Sequence, residues 1–345
     1  MKAARSLGAA SATTYGLAYP VFIVGKSLSE PVGGIIDAVK ELSQKSGVII
    51  NFESDEKYKN NNRIEEILKL SCLWFQENLN HSSANICNKY LKERKLTKET
   101  IQKFKLGYSY NKDISLYHYL KNKLFSDEEI LESNVVKLDK NKKIRDFFYK
   151  RLMFPISNTQ GRIVAFGGRS LDDSNPKYIN SPESNFFQKR NLLYNLNIAK
   201  EFARKKNNLL ICEGYMDVIS LNQNGINSVV APLGTALTEE QLYLAWKYSN
   251  KPTIMFDGDN SGVRASYKAA IMALSLVSPN KFLQFISLPS DIDPDQYINE
   301  YTIENFLKIL KNPDPLSHFI FNQSIKSISL NKVDEKISYD KYLDD

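Results

Sequence analysis

From residue 208 onward the chain alternates short apolar runs with amphipathic segments, and this alternation limits the possible folds more than any other feature. The runs at 208–212, 227–231, 252–256 and 282–287 read as buried strands, and 215–223, 238–248 and 261–277 read as the helices between them. Links this short between strand, helix and strand predict a parallel sheet with covering helices. After Pro289 the sequence predicts a polar acidic loop, a short helix near 302–311 and a Lys/Asn/Ser-rich helical tail.

The first half has a different texture. Apolar residues recur at helical spacing over 64–79 and 83–94, with further helices expected at 97–104, 115–123 and 126–132. Residues 35–47 also read as a helix with a terminal Gly, and 55–63 as a polar linker. Between 144 and 170, β-rich runs flank a turn at Thr159–Gly161, which predicts a hairpin whose second strand ends in Gly167-Gly168. This half is an α+β unit. Residues 1–35 are rich in Ala, Ser, Thr and Gly and carry no acid before Glu30, a composition shared by transit peptides and by poorly ordered leaders.

Composition excludes several classes. No stretch is apolar enough to span a membrane. Cys72, Cys87 and Cys212 are far apart with no C-x-x-C pair, which argues against a disulfide framework or a cysteine zinc site and suits a reducing compartment. The net charge of +7 is unevenly spread. Residues 142–210 hold fourteen Lys/Arg against five Asp/Glu, whereas 211–300 hold five against ten. That asymmetry suits a polyanion cradle beside a site that gathers carboxylates.

In open parallel sheets functional groups gather at the carboxyl ends of strands, and acids recur there in this chain. One run ends in Glu213-Gly214, another in Asp257-Gly258-Asp259, and a third leads to Asp291, Asp293 and Asp295. Glu213 and the 257/259 pair are expected on neighbouring strand ends. Like charges held together repel unless a cation compensates them, so a divalent metal is the economical reading. Oxygen donors without His or Cys favour Mg²⁺ or Mn²⁺ over Zn²⁺. Asp217, in the first turn of the next helix, is equally suited to offsetting the helix dipole. Arg162, Arg169, Lys177 and Lys189 are interleaved with Phe166, Tyr178, Phe186 and Phe187, a mixture that suits phosphate pairing with base stacking on a single strand. His81, His118 and His318 lack partner motifs, and there is no P-loop.

Taken together, these residues resemble the RNA polymerase core of bacterial DnaG-type primases, from about Asp37 to about Leu316. The marks are Y-L-K-E-R at 90–94, R-L-M-F-P-I at 151–156, G-R-I-V-A-F-G-G-R at 161–169 and P-K-Y-I-N-S-P-E at 176–183. They continue with L-L-Y-N-L at 192–196, E-G-Y-M-D at 213–217, A-P-L-G-T at 231–235, F-D-G-D-N-S-G at 256–262 and D-P-D at 293–295. The later motifs belong to the Toprim fold.

The resemblance implies an α/β chain in four parts: an atypical leader at 1–36, with disorder one reading of it; a primase core subdomain at 37–188; a Toprim domain at 189–312; and the start of a helical bundle at 313–345. It implies metal ligands Glu213, Asp217, Asp257, Asp259, Asp293 and Asp295, with Glu213, Asp257 and Asp259 catalytic. Arg94, Arg169, Lys177, Tyr178, Asn180 and Lys189 match the family's basic ridge and nucleotide-contacting motif. The implied activity is that of a nucleotidyltransferase of the primosome, a DNA-directed RNA polymerase that makes short RNA primers on single-stranded DNA from ribonucleoside triphosphates with Mg²⁺ or Mn²⁺. A cytoplasmic monomer is expected, with organelle targeting by 1–35 the other reading.

The sequence departs from the family pattern in three places. Lys95 stands where Gly usually follows the motif arginine. No Cys/His set supplies the family's zinc ribbon, so no zinc is expected. The sequence also stops as the helical bundle begins, so contact with a replicative helicase is expected to be lost. A non-catalytic remnant that binds single-stranded DNA, and a Toprim nuclease, are the alternative functions.

Overall fold

The computed structural model describes residues 55–110, 114–172, 175–234 and 236–326. The helix expected at 35–47, the leader and the end of the tail lie outside them. Helix α1 (Asp55–Leu79) buries Ile64, Ile67, Leu68, Cys72, Phe75 and Leu79, the stripe its 3.6-residue period dictates. It begins earlier than the expected polar linker allows. Tertiary contacts explain this: Arg63 pairs with Glu129 at 2.8 Å and lies 4.1 Å over the Phe125 ring, and the Asn60 amide donates to Glu132 at 2.8 Å. Anchoring of this kind overrides weak local propensity.

Short helices α2 (Asn85–Glu93) and α3 (Lys98–Lys103, capped by Thr97) lead to strand β1 (Gly107–Ser109). Helices α4 (Leu116–Asn122) and α5 (Asp127–Glu132) follow, the second closed by a Ser126/Glu129 capping box. The small pair β2 (Val136–Leu138) and β3 (Ile144–Asp146) precedes β4 (Arg151–Ser157), β5 (Ile163–Ser170) and β6 (Tyr178–Asn180). Strands β1, β4, β5 and β6 form one antiparallel sheet in the order β1-β4-β5-β6. The expected hairpin is its centre, turning through Gly161 at φ +88°.

The second half runs α6 (Leu196–Lys206), β7 (Leu210–Ile211), α7 (Tyr215–Gln223), β8 (Val229–Val230), α8 (Glu239–Trp246) and β9 (Thr253–Ile254). It continues with α9 (Asn260–Leu274), β10 (Gln284–Phe285), α10 (Pro294–Leu310), β11 (Asp314–Pro315) and α11 (Leu316–Lys326). The sheet order is β11-β10-β9-β7-β8, parallel except for β11. The alternation of strand and helix therefore gives the expected parallel sheet.

Helix α10 corrects the acidic loop expected after Pro289. Asp293 caps it, Pro294 occupies its first turn and Gln296 completes a capping box, so the helix starts well before 302. Thr302, at φ 71° and ψ 156°, breaks it into two segments.

Side chains alternate between cores. Leu152, Phe154 and Ile156 of β4 face a core shared with the parallel sheet, while Met153 faces the α1 side. Around β7, Leu210 and Cys212 point into that shared core and Ile211 into the opposite one, with α8 and α9. Burial on both faces explains why these runs are apolar throughout. Among the described residues no helix is long and apolar enough to cross a membrane.

Candidate active site: a carboxylate floor between two basic walls

A cavity of about 550 Å³ opens at the carboxyl ends of the parallel strands. Strands β7 and β9 are neighbours, with Ile211 opposite Ile254, so Glu213 and Asp257 leave adjacent strand ends. Asp217, in the first turn of α7, accepts from the Gly214 N–H at 3.0 Å and is 7% exposed. Asp293 caps α10 by accepting from the Gln296 N–H at 2.7 Å. These four carboxylates line the floor.

Asp259 and Asp295 do not line it. Asp259 caps α9 by accepting from the Gly262 N–H at 2.7 Å. Asp295, 2% exposed, is held by Arg94 at 2.6 Å and by the Asn299 amide at 3.0 Å. The pairing gives Asp295 a positioning part: it fixes a guanidinium that lines the cavity.

The floor is electrostatically strained. Burial, and then the charges of Glu213, Asp293 and Asp259, push the Asp257 carboxyl up to about 7. Burial holds Asp217 well above the usual carboxylate range, with Asp257 and Asp293 adding to it. Glu213 is raised too, chiefly by burial, against a backbone hydrogen bond from Asp257. One oxygen of Asp257, Oδ1, is buried without a hydrogen-bond partner. Among the described residues no three acid, His or Cys side chains close around a common point. A Mg²⁺-type ion needs only one or two protein carboxylates and completes its shell with water.

The first wall is basic and aromatic. Arg169, at the end of β5, lies between the rings of Tyr90 at 4.6 Å and Tyr178 at 5.2 Å and donates to the Tyr178 hydroxyl. Lys177 and Asn180 flank Tyr178 on this wall. The Asn180 amide is fixed at both ends: its Oδ1 accepts from the Tyr215 hydroxyl at 2.6 Å and its Nδ2 donates to the Leu233 carbonyl at 3.1 Å. Tyr215 is itself stacked on Phe154 at 4.8 Å, so the shared core sets the amide's position. Lys189 does not reach the cavity; it sits in a short 3-10 turn (Lys189–Asn191) tied to Glu183 through its backbone N–H.

The second wall, α9, was not foreseen from the sequence. Ser261, Arg264, Ala265 and Lys268 line the cavity along one helical face. Two cations four residues apart, directly after an acidic turn and with no acid in the helix itself, were the available signal.

Fold and site define the class: an antiparallel α+β unit joined to a Toprim-type sheet with acids on its strand ends. The family described as DNA primase catalytic core, N-terminal domain, matches residues 74–200, and a Toprim-like family matches 210–298. A solved DnaG primase catalytic domain bound to ssDNA is 31% identical, with a TM-score of 0.71 over 81% of this chain and 91% of that one. The E. coli primase catalytic core is 32% identical, with a TM-score of 0.71 over 80% and 88%. The DNA primase of Buchnera aphidicola is 36% identical over 304 residues, 87% of this chain and 52% of the relative. The chain belongs to the DnaG-type primase family, as its motifs implied. It spans about half the length of the curated relatives it matches.

Proposed function

We propose that the cavity carries out template-directed ribonucleotide transfer, lengthening an RNA primer on single-stranded DNA. The observation that carries this reading is the pair of carboxylates on adjacent strand ends, Glu213 and Asp257, the latter with an unpartnered buried oxygen, in a cavity also lined by Arg169, Lys177 and Tyr178. Family membership and the ssDNA-bound neighbour support it.

In the reaction the primer's 3′ oxygen bonds to the α-phosphorus of the incoming nucleotide. The α–β bridging bond breaks, its electron pair leaves with pyrophosphate, and the hydroxyl proton passes to solvent. Such transfer needs positioning and charge stabilisation rather than a nucleophilic side chain. The donor set is all oxygen, so Mg²⁺ or Mn²⁺ is the fitting ion, held by Asp257 and Glu213 with Asp217 and Asp293 beside them. When bound, it supplies charge neutralisation at the phosphates and lowers the pKa of an attacking hydroxyl.

The rest falls to the chain. Arg169 and Lys177 pair with backbone phosphates, the Tyr178 ring offers a stacking face, and Arg94 is held on the same wall by Asp295. On this reading residues 37–188 hold the template and residues 189–312 the reacting phosphates, in the cytoplasm.

The test is elongation of an annealed RNA primer by the purified chain with ribonucleotides and Mg²⁺ or Mn²⁺. Extension should require the template and fall to background in Glu213→Ala. Template-independent addition, or full extension by the variant, would refute the assignment.

A further inference from the structure

The motif R-L-M-F-P-I at 151–156 opens on an arginine that the site described above does not use. Arg151, the first residue of β4, is 8% exposed and does not line the cavity. Its side chain crosses β5 at Gly168, where the missing side chain leaves it room. A Cβ there would lie 3.1 Å from Arg151 Cδ and 2.8 Å from Phe148 Cδ1. Beyond that point Nη1 donates to three carbonyls, Pro176 at 3.0 Å, Lys177 at 3.3 Å and Gly168 at 3.4 Å. Burying a guanidinium costs free energy that an apolar side chain of similar volume would not. What the charge provides in return is direction, as charge-assisted hydrogen bonds to particular backbone atoms.

Two of those carbonyls belong to the segment that carries part of the cavity wall. Strand β6 is three residues long and, among the described strands, pairs with β5 alone. Its ladder sets Tyr178 opposite Arg169 and begins only after Lys177. Ahead of it the Lys177 carbonyl accepts from the Ser170 N–H at 2.8 Å and from Arg151, and the Pro176 carbonyl accepts from Arg151. Lys177 and Tyr178 both line the cavity. A short edge strand offers few bonds to fix its entry, so the buried guanidinium is the main anchor of the backbone from which these two side chains project.

We propose that Arg151 is a positioning residue for the template: by holding the Pro176 and Lys177 carbonyls it fixes where Lys177 and Tyr178 stand on the cavity wall, and so sets the affinity for single-stranded DNA. This rests on the reading above, in which those two side chains meet the strand. Arg151 touches neither DNA nor nucleotide, so its whole effect on binding passes through its neighbours. One nitrogen makes all three contacts, so the planar fork of an arginine is not what the position needs; a single cationic donor serves.

The test is a mutant cycle on the full chain, read as the affinity for a labelled single-stranded DNA oligonucleotide at fixed salt, with each variant first shown to be folded at the assay temperature. Lys177→Ala/Tyr178→Ala removes the contacting side chains and should weaken binding by about tenfold or more. Arg151→Met keeps the stem without the donors, and Arg151→Gln is run beside it so that the outcome does not hang on one variant's folding. Each should weaken binding about fivefold in the wild-type background, but by less than about 1.5-fold once Lys177 and Tyr178 are replaced. Arg151→Lys, which keeps a cationic donor, should stay within about twofold of wild type. Equal losses in both backgrounds would overturn the proposal, since the arginine would then act on the fold as a whole. So would Arg151→Met or Arg151→Gln binding like wild type, or Arg151→Lys binding as weakly as they do. Failure of the underlying reading is separately visible: Lys177→Ala/Tyr178→Ala would itself leave DNA affinity unchanged, and both claims would fall together.

Discussion

Asp257→Asn should melt above the wild type at pH 8 in metal-free buffer, and should lose primer extension by about a hundredfold or more. The two effects have one cause. The folded carboxyl titrates at about 7, above the unfolded value near 3.9. Between those values the folded chain binds more protons than the unfolded chain, so stability from this group declines as pH rises from about 4 to about 7 and is lowest above it. Asparagine keeps the shape and removes the charge. Allowing for partial exposure, the gain is about 1–2 kcal/mol at pH 8, or roughly 2–8 °C, and it should fade near pH 4. Millimolar Mg²⁺ should narrow the gap by stabilising the wild type alone. Thermal scans at pH 4 and pH 8, with and without Mg²⁺, check this. A variant that melts below the wild type at pH 8 would make Asp257 a structural partner rather than a strained ligand.

The next largest effect is expected at Gly258, between the two acids of the 257–259 turn. A Cβ there would lie 1.9 Å from the Pro289 carbonyl oxygen and 3.2 Å from that of Ile292. The Gly258 N–H also donates to the Ile292 carbonyl at 2.9 Å, tying the turn to the segment that leads to Asp293. Both obstructing atoms are backbone, so no side-chain rotation relieves the clash. Gly258→Ala should cost about 3 kcal/mol or more and separate Asp257 from Asp293. Chemical denaturation reads the loss, and a midpoint equal to wild type would show that the two segments are not packed as described.

The contrast between these sites shows what the sequence could reveal. Glu213 and Asp257 were legible because apolar runs mark strands and parallel strands send their carboxyl ends to one edge. The hairpin over 151–170 was legible from its turn. The Asp295–Arg94 pair was not, since it joins residues 201 positions apart, and nothing local distinguishes a paired acid from a ligand. Asp259 likewise serves as a helix cap, a use of Asp that a D-x-D pattern conceals. The start of α10 could have been read from Asp293, Pro294 and Gln296, but the acidic composition suggested a loop. The opposite error occurred at Asn60–Arg63, where polarity suggested a linker and contacts to α5 make a helix. Arg264 and Lys268 belong to no motif singled out in the sequence, and only the fold shows that they line the cavity.

The central claim is that the carboxylate floor seats a divalent cation, and titration of Mn²⁺ into the wild-type and Asp257→Ala chains tests it most directly. Because the Asp257 carboxyl titrates at about 7, a metal that needs the carboxylate must compete with a proton below that pH. Wild-type binding should be tighter at pH 8 than at pH 6, with proton uptake by the buffer near pH 7, and Asp257→Ala should bind about tenfold more weakly or not at all. Equal Mn²⁺ affinity in both chains at both pH values would contradict the account.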